Sequence, residues 1–208
     1  MDKYIGTIIQ NEKHTPDVFI LKITFSGIEN FNHIPGQFVM LSIAGINNEK
    51  GIPAKRAYSI ASSPNTKDHI EICIKKEGFF STALHNLAIG GKINIEGPYG
   101  KFNLLDTTDK NLAFIAGGTG IAPLISMIRH IANTTNFKHI DLIYSVKTKE
   151  DIIYHEELKT LSKEKNFKLH LFLTREEGAT GRIAKESLMK ILNGNDYDVY
   201  MCGKNEMI

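Results

Sequence analysis

The sequence has 208 residues, of which 42% are hydrophobic and 23% are charged, and its formal net charge is +2. This near balance of 25 basic and 23 acidic residues gives no bulk attraction to nucleic acid, so we expect no nucleic-acid partner. The longest apolar runs fall far short of the roughly 20 residues that a membrane span needs. The N-terminal segment also lacks the apolar core and cleavage site of a signal peptide. We therefore expect a cytoplasmic protein without a membrane span.

Cysteine and histidine usage predicts no metal site. The two cysteines, Cys73 and Cys202, are too few for an ordinary iron–sulfur cluster within this chain. The eight histidines are scattered and show no HExxH spacing. Cys73 lies in an alternating segment, and we interpret it as structural.

The first hundred residues have the pattern of a β domain. Short segments that are alternating or rich in β-branched residues are separated by turn residues, which favours an antiparallel barrel. One short helix interrupts them, with Ser81 as its predicted N-cap. The predicted strands are 18–25, 37–43, 69–75 and 92–97.

The second half alternates apolar strand-like segments with helical patterns, which is typical of βαβ units and a parallel sheet. A polar, turn-prone stretch at 104–111 predicts the domain boundary, which we place between residues 105 and 106. The predicted strands are 112–115, 139–146, 168–174 and 198–202, and the predicted helices are 123–133, 150–164 and 184–192.

A glycine-rich turn joins the first strand and the first helix of this second half. Its sequence, GTGIAP at 118–123, fits the first two glycines of a dinucleotide fingerprint, but Pro123 stands where the third glycine belongs. No Gly-Lys-Ser/Thr follows, so the turn is not a P-loop. Glycines allow close approach to an anion, and a helix N-terminus attracts one, which favours a phosphate ligand. A plain strand–turn–helix link remains the alternative.

Two segments of the first half carry a similar signal. In RAYSIASSP, Arg56 could hold a diphosphate, Tyr58 could lie against a flat heterocycle, and Ser59 could bind a ring atom. We expect these three side chains to share one face of a strand. In GFFST at 78–82, the start of a helix could receive a phosphate, although an ordinary helix cap explains the pattern equally well.

Six short motifs occur in an order and spacing that resemble the ferredoxin–NADP reductase family of flavoproteins. The resemblance covers nearly the whole chain. It implies a six-stranded, antiparallel Greek-key barrel that binds FAD over residues 1–105. It also implies a parallel-sheet α/β domain over 106–208 that binds NAD(P)H. The motifs are PGQF at 35–38, RAYS at 56–59, GFFST at 78–82, GPYGKF at 97–102, GGTGIAP at 117–123 and YMCG at 200–203.

For the flavin, the resemblance implies that Arg56 binds the diphosphate, Tyr58 stacks on the isoalloxazine and Ser59 lies near the flavin N5. The residues that would complete the diphosphate site are Gly78, Ser81 and Thr82.

For the nicotinamide cofactor, the resemblance implies that Gly118, Thr119 and Gly120 cradle the diphosphate. Cys202 and Gly203 follow the last strand, and the matching cysteine of the family lies beside the nicotinamide. A small buried residue is the alternative interpretation of Cys202. Hydride would pass between the two rings, with Ser59 and Cys202 bordering the transfer.

Basic residues after two strands favour NADPH over NADH, because NADPH carries an additional phosphate. Lys147 follows the second strand of the α/β half, and Arg175 follows the third, where Thr174-Arg175-Glu176 is similar to a phosphate-binding Ser-Arg-Glu of the family. Solvated loops remain the alternative for both segments.

The sequence thus predicts an FAD-dependent NAD(P)H reductase that passes electrons to a ferredoxin or an oxygenase component. Two alternatives remain: an electron-transfer subunit of a dihydroorotate dehydrogenase- or hydrogenase-type complex, and a non-catalytic flavin- or nucleotide-binding module. The family's CGxxxM motif opens a final helix, whereas CGKNEMI at 202–208 covers only its first turn. We therefore expect a truncated C-terminal end of the α/β domain.

Overall fold

A computed structural model describes residues 2–25, 31–104, 111–132 and 139–204. An antiparallel β half precedes an α/β half, as the sequence predicts. The first half contains β1 (Lys3–Lys13), β2 (Val18–Phe25), β3 (Phe38–Asn47), β4 (Pro53–Ser59), β5 (Ile70–Lys75), α1 (Phe79–His85) and β6 (Lys92–Tyr99). The second half contains β7 (Asn111–Gly117), α2 (Ile121–Ile131), β8 (Ile140–Val146), α3 (His155–Leu161), β9 (Phe167–Leu173), α4 (Lys185–Leu192) and β10 (Tyr197–Cys202).

The six strands of the first half form one antiparallel sheet in the order β4-β3-β6-β1-β2-β5. An isolated bridge between Ile60 and Ile72 joins the two ends of this sheet, which closes it into a barrel. The predicted six-stranded Greek-key barrel is confirmed. Strand β1 is not among the predicted strands, because a register shift between Ile8 and Gln10 interrupts its mixed pattern, KYIGTIIQNEK.

Strand β2 is buried on both of its faces. Phe19, Leu21 and Ile23 point into the barrel core, whereas Val18 and Ile20 belong to a second cluster shared with the α/β half. Successive side chains of a strand point to opposite faces, so this one strand contributes to both cores. The barrel is therefore attached to the α/β half by apolar packing.

Four parallel strands of the second half form a sheet in the order β10-β7-β8-β9, which confirms the predicted parallel α/β sheet. Helix α2 packs between this sheet and the barrel, and nine of its eleven side chains are buried. A helix that is apolar nearly all round needs cover on all sides, which the two halves supply together.

The predicted single helix over 150–164 is wrong. A 3-10 turn at Lys149–Asp151 is followed by an irregular segment, and α3 begins only at His155. Ile152, Ile153 and Tyr154 are all buried, which three consecutive residues of a surface helix cannot achieve. Tyr154 also has a left-handed backbone with φ of 60°, which interrupts any helix.

The predicted boundary between residues 105 and 106 lies outside the described residues, which are interrupted from 105 to 110. Within the described part of the chain, no helix has the length and apolar character to cross a membrane.

A buried carboxylate near the amino ends of the parallel strands holds a polar cluster together. The Asp141 side chain is 3% exposed, and it accepts hydrogen bonds from Tyr197 Oη at 2.7 Å and His170 Nε2 at 2.7 Å. His139 Nε2 lies 3.2 Å from the same carboxylate. Burial alone would raise the pKa of Asp141, but these partners outweigh burial and hold the pKa below its ordinary value.

We expect Asp141→Asn to lower the free energy of unfolding by roughly 1–3 kcal/mol at pH 7, because charge-assisted hydrogen bonds are lost. The depressed pKa stabilises the fold fully above the ordinary aspartate pKa of about 3.9. That contribution disappears as the pH falls through the lower pKa of the folded state. Urea unfolding between pH 6 and 3 should therefore show a weaker acid dependence in Asp141→Asn than in the wild type.

Tyr197→Phe is the control for this cluster because it removes one donor and keeps the carboxylate. It should retain part of the acid dependence. Parallel pH profiles for the wild type and Asp141→Asn would contradict the assigned role of Asp141.

Candidate functional site

The glycine-rich turn lies at the carboxyl edge of the parallel sheet. Gly118–Gly120 form a 3-10 turn between β7 and α2. Gly118 has φ of 52°, and a side chain built there would meet nothing within 4 Å, so its surface is open to a ligand. The Gly118 carbonyl accepts a hydrogen bond from Tyr144 Oη at 3.1 Å. The buried Tyr144 thus fixes the turn, although the sequence offered no signal for this role.

Gly120 brings the turn into backbone contact with the end of β10. A Cβ at this position would lie 2.6 Å from the Cys202 carbonyl carbon and 2.9 Å from Gly203 Cα. Only glycine allows this approach without displacement. The structure therefore brings together the two segments, 118–120 and 202–203, in which the sequence predicts a nicotinamide site. Thr119, between the two glycines, is partly buried.

Cys202 is a half-buried free thiol at this edge of the sheet. Burial raises the pKa of Cys202, so the sulfur stays a protonated, neutral thiol at physiological pH. Cys73 differs because it is fully packed in the cluster shared by the two halves. Burial raises the pKa of Cys73 to about 12, which agrees with a structural role.

In the barrel, Arg56 and Tyr58 lie next to the first two residues of α1. The Arg56 guanidinium is exposed, lies 5.9 Å from the Phe79 ring centroid and donates to the Lys55 carbonyl at 2.8 Å. The Tyr58 ring stacks beside Phe80 with an interplanar angle of 18° and a centroid distance of 6.5 Å. The predicted flavin strand and the GFFST helix therefore form one continuous surface.

The expectation that Arg56, Tyr58 and Ser59 share one face is wrong. Ser59 is the last residue of β4 and directly follows Tyr58. Because successive side chains of a strand alternate, Ser59 lies on the face opposite Arg56 and Tyr58. If Ser59 lies beside the flavin N5 as predicted, its backbone must face the flavin or the chain must turn directly after β4.

Ser81 is not the N-cap of α1. The helix begins at Phe79, with Gly78 as the cap residue, and Ser81 is buried in its first turn. Ser81 Oγ accepts the Glu77 N–H at 2.7 Å and donates to the Gly78 carbonyl at 3.2 Å. Thr82 Oγ1 donates to the same carbonyl at 2.9 Å. Both hydroxyls thus hold the turn in place.

Phe79 and Phe80 were not predicted as site residues, but they lie beside Arg56 and Tyr58. The only signal in the sequence was the pair of phenylalanines inside GFFST. The structure adds that the Phe79 ring is about half exposed.

Lys147 and Arg175 come together after β8 and β9. The Arg175 N–H donates to the Lys147 carbonyl at 2.9 Å, and both residues are exposed. Glu176 lies 3.9 Å from Lys149 in an ion pair, which offsets its negative charge. These two basic residues are therefore joined through their backbones, and they follow strands at the same edge of the sheet as the glycine-rich turn.

The barrel reaches this edge as well. Cα atoms of the 118–120 turn lie within 8 Å of Cα atoms in β5, so a strand of the barrel runs directly past the glycines. Ser126 of α2, six residues after the turn, donates its hydroxyl to the Ser62 carbonyl at 2.7 Å. Ser62 follows β4 by three residues. The glycine-rich turn and the segment that follows the predicted flavin strand thus both lie where the barrel meets the α/β half.

Comparisons with known families agree with this geometry. Residues 6–104 match the oxidoreductase FAD-binding domain, and residues 114–208 match the oxidoreductase NAD-binding domain. The chain belongs to the ferredoxin–NADP reductase-like family. Its barrel is an oxidoreductase FAD-binding domain, and the parallel sheet that follows is an oxidoreductase NAD-binding domain.

Individual relatives show the range of this family. The reductase component of propane 2-monooxygenase from Gordonia sp. (strain TY-5) is 31% identical over 95% of this chain and 59% of the relative. The sulfhydrogenase 2 subunit gamma of Pyrococcus furiosus is 31% identical over 88% of this chain and 65% of the relative. The chain thus spans about three fifths of these relatives.

A solved ferredoxin NADP+ reductase from Neisseria gonorrhoeae, with bound FAD and NADP, has the same fold. It superposes with a TM-score of 0.81 at 24% identity, and the match covers 100% of this chain and 88% of that structure.

We expect Gly120→Ala to lower the free energy of unfolding by about 1–3 kcal/mol, because its methyl group would overlap the Cys202–Gly203 backbone. Urea unfolding checks this expectation. Gly118→Asn is the matched control, since its side chain would enter open space and asparagine tolerates a positive φ. Equal losses in the two variants would show that the contact between Gly120 and Cys202 carries no special constraint.

Proposed function

We propose that this chain is an FAD-dependent NAD(P)H reductase that passes electrons on to a redox protein. The observation that supports the proposal is the position of the glycine-rich turn where the α/β half meets the barrel. The glycine-rich turn packs against Cys202 on one side and runs past β5 of the barrel on the other. When bound, FAD and NAD(P)H would supply hydride transfer at this interface.

The barrel surface fits a flavin dinucleotide. The exposed Arg56 guanidinium has donors for a diphosphate, and the half-buried Tyr58 ring offers an aromatic face. Burial raises the pKa of Tyr58, which keeps its hydroxyl protonated as a donor. At the start of α1, the backbone N–H groups of Gly78 and Ser81 would complete the diphosphate site. The N–H and the hydroxyl of Thr82 both donate to the Gly78 carbonyl, so Thr82 would hold the turn in shape.

The sheet edge fits a nicotinamide dinucleotide. Gly118, Thr119 and Gly120 would approach its diphosphate, and the N-terminus of α2 would attract the negative charge. Cys202 and Gly203 would border the nicotinamide ring. The neutral Cys202 thiol would pack against the ring and exclude water from its edge.

NADPH is the preferred donor in this proposal. Lys147 and Arg175 are held side by side by their backbone hydrogen bond, and they would receive the additional phosphate. Glu176 could accept from a free ribose hydroxyl, but Lys149 lies 3.9 Å from its carboxylate and partly offsets its negative charge.

The acceptor that we propose is a ferredoxin or an oxygenase component. The propane 2-monooxygenase reductase relatives support an oxygenase partner. The sulfhydrogenase subunit supports a second candidate, in which the chain is the electron-transfer subunit of a larger complex.

The decisive measurement is the visible spectrum of the purified chain, reconstituted with FAD and titrated with NADPH in the absence of oxygen. Bleaching of the flavin bands is the expected result, because hydride transfer reduces the bound flavin. A bound flavin that neither NADPH nor NADH bleaches, or the lack of any bound flavin, would overturn the proposal in favour of a non-catalytic module.

We expect the Arg56→Ala/Tyr58→Ala double variant to purify with less FAD and to bind added FAD at least tenfold more weakly, a loss of about 1.4 kcal/mol or more. Lys55→Ala is the matched control, because it removes the adjacent exposed cation, whose ion pair with Glu96 lies on the other face of β4. Full FAD retention by the double variant would refute this flavin site. Fluorescence titration with FAD provides the measurement.

We expect the Lys147→Ala/Arg175→Ala variant to raise KM for NADPH about tenfold or more and to leave KM for NADH nearly unchanged, since only NADPH carries the second phosphate. NADH serves as the internal control in steady-state assays with ferricyanide. An equal rise for both donors would mean that the two cations do not select the phosphate.

A further inference from the structure

One arginine of α2 joins three separate parts of the chain. Arg129 Nη1 donates to the Ala61 carbonyl at 2.9 Å and to Glu71 Oε1 at 2.8 Å, both in the barrel. Its Nε and Nη2 donate to the two carboxylate oxygens of Glu157 in α3, at 2.7 and 2.6 Å. The guanidinium also lies 4.8 Å from the Tyr154 ring centroid. Both faces of the domain interface therefore meet at this side chain.

These contacts are well shielded from solvent. The side chains of Arg129 and Glu71 are 21% and 10% exposed, and that of Glu157 is 33% exposed. A bidentate arginine–carboxylate pair has a fixed direction as well as a favourable energy. Burial alone would lower the pKa of Arg129, but Glu157 and Glu71 raise it above its ordinary range, so the charge persists. The geometry is therefore rigid rather than a loose surface pair.

The barrel side of this contact is the segment that leaves the predicted flavin strand. Ala61 follows the end of β4 by two residues, and its N–H donates to the Glu71 carbonyl at 2.8 Å. The Glu71 N–H in turn donates to Ser62 Oγ at 3.1 Å. Ser126 donates to the Ser62 carbonyl from one helical turn before Arg129. Two side chains of α2, Ser126 and Arg129, thus hold residues 61–62 against the helix, while Glu71 fixes the same residues within the barrel.

The other end of α2 is the glycine-rich turn. Nine residues separate Gly120 from Arg129, which along a helix corresponds to about 13 Å. A helix is stiff over this length, so a shift of α2 at Arg129 moves the turn by a similar amount. The contact at Arg129 therefore sets the distance between the end of β4 and the turn at 118–120.

We propose that Arg129 is a positioning residue for hydride transfer: by holding α2 against Ala61 and Glu71, it fixes the nicotinamide site relative to the flavin site. This inference rests on the proposed function. Hydride transfer depends steeply on the separation of the reacting atoms, and misplacement by about 1 Å can reduce a rate up to about 100-fold. Arg129 acts from a distance and touches neither predicted cofactor site.

Two isosteric substitutions separate positioning from simple stability. Glu71→Gln weakens the contact across the interface, whereas Glu157→Gln removes the same charge from the same guanidinium within the α/β domain. We expect Glu71→Gln to slow hydride transfer about tenfold at saturating NADPH, measured by anaerobic stopped flow on flavin-loaded protein. Glu157→Gln should slow it less than threefold at a similar loss of Tm.

Arg129→Lys and Arg129→Met complete the series. Lysine keeps the positive charge but lacks the guanidinium donors that bind both carboxylates at once. We therefore expect the hydride-transfer rate of Arg129→Lys to lie between those of Arg129→Met and the wild type. If Arg129→Met fails to fold, Glu71→Gln and Arg129→Lys still test the proposal. FAD content and KM for NADPH should stay near the wild-type values in every folded variant, because neither cofactor site is touched.

A second readout measures the interface without turnover. Spin labels carried by unnatural amino acids at the exposed positions Asn94 of β6 and Lys168 of β9 report the distance between the domains. We expect a narrow distance distribution in the wild type and in Glu157→Gln. The distribution should broaden in Glu71→Gln and Arg129→Met.

The outcomes are distinguishable. Unchanged hydride-transfer rates and unchanged distance distributions in Glu71→Gln and Arg129→Met would overturn the positioning role. Equal slowing by Glu71→Gln and Glu157→Gln, in proportion to their losses of Tm, would also overturn it in favour of general stabilisation. If the wild type transfers no hydride, the proposed function fails, and the label distances alone then decide whether Arg129 fixes the interface.

Discussion

The burial of α2 is the constraint on which the rest of the structure depends. Its sequence, IAPLISMIRHI, has almost no polar face, and even Ser126 is fully buried. The parallel sheet covers one side of the helix, while Val18, Ile20 and Cys73 of the barrel cover another. Neither domain alone could shield this helix from water, so the two domains must pack together.

This packing determines where the ligand-binding backbone can lie. Gly120 allows the start of α2 to touch the end of β10, and Gly36 of the PGQF motif lies against Met127 and the Phe102 carbonyl. Gly120 belongs to the turn that suggests a phosphate ligand in the sequence, and Gly36 belongs to another of the six family motifs. In the structure, both positions lack room for a side chain, so each glycine allows close packing next to α2. Gly118, by contrast, has open space around it and is free to contact a ligand.

The sequence predicted the domain classes and most strands because buried strands are marked by local apolar runs. It missed β1, where the bulge interrupts the alternation, and it merged the 3-10 turn with α3 because Ile152 and Ile153 fit a helical period. The glycine and cysteine motifs were placed correctly at one sheet edge, since carboxyl ends of parallel strands share an edge. How these residues contact cofactors stays a prediction.

The residues that the sequence could not reveal are those whose roles depend on distant partners. Tyr144 meets Gly118 across 26 positions of the chain, and Arg129 meets Glu71 across 58. A tyrosine in a strand or an arginine in an apolar helix looks like an exception to a local pattern, and only the tertiary fold supplies its partner.

The type of interface also bears on how the protein would work. Domains joined by small polar contacts commonly move relative to one another, whereas a large apolar interface resists such motion. Here one apolar cluster runs across the interface without interruption, and the buried Arg129 contacts lie at its border. Opening the interface would expose this apolar surface and leave a charged guanidinium without its partners, both of which cost free energy. We therefore expect the two domains to keep one arrangement while cofactors bind and leave at the sheet edge.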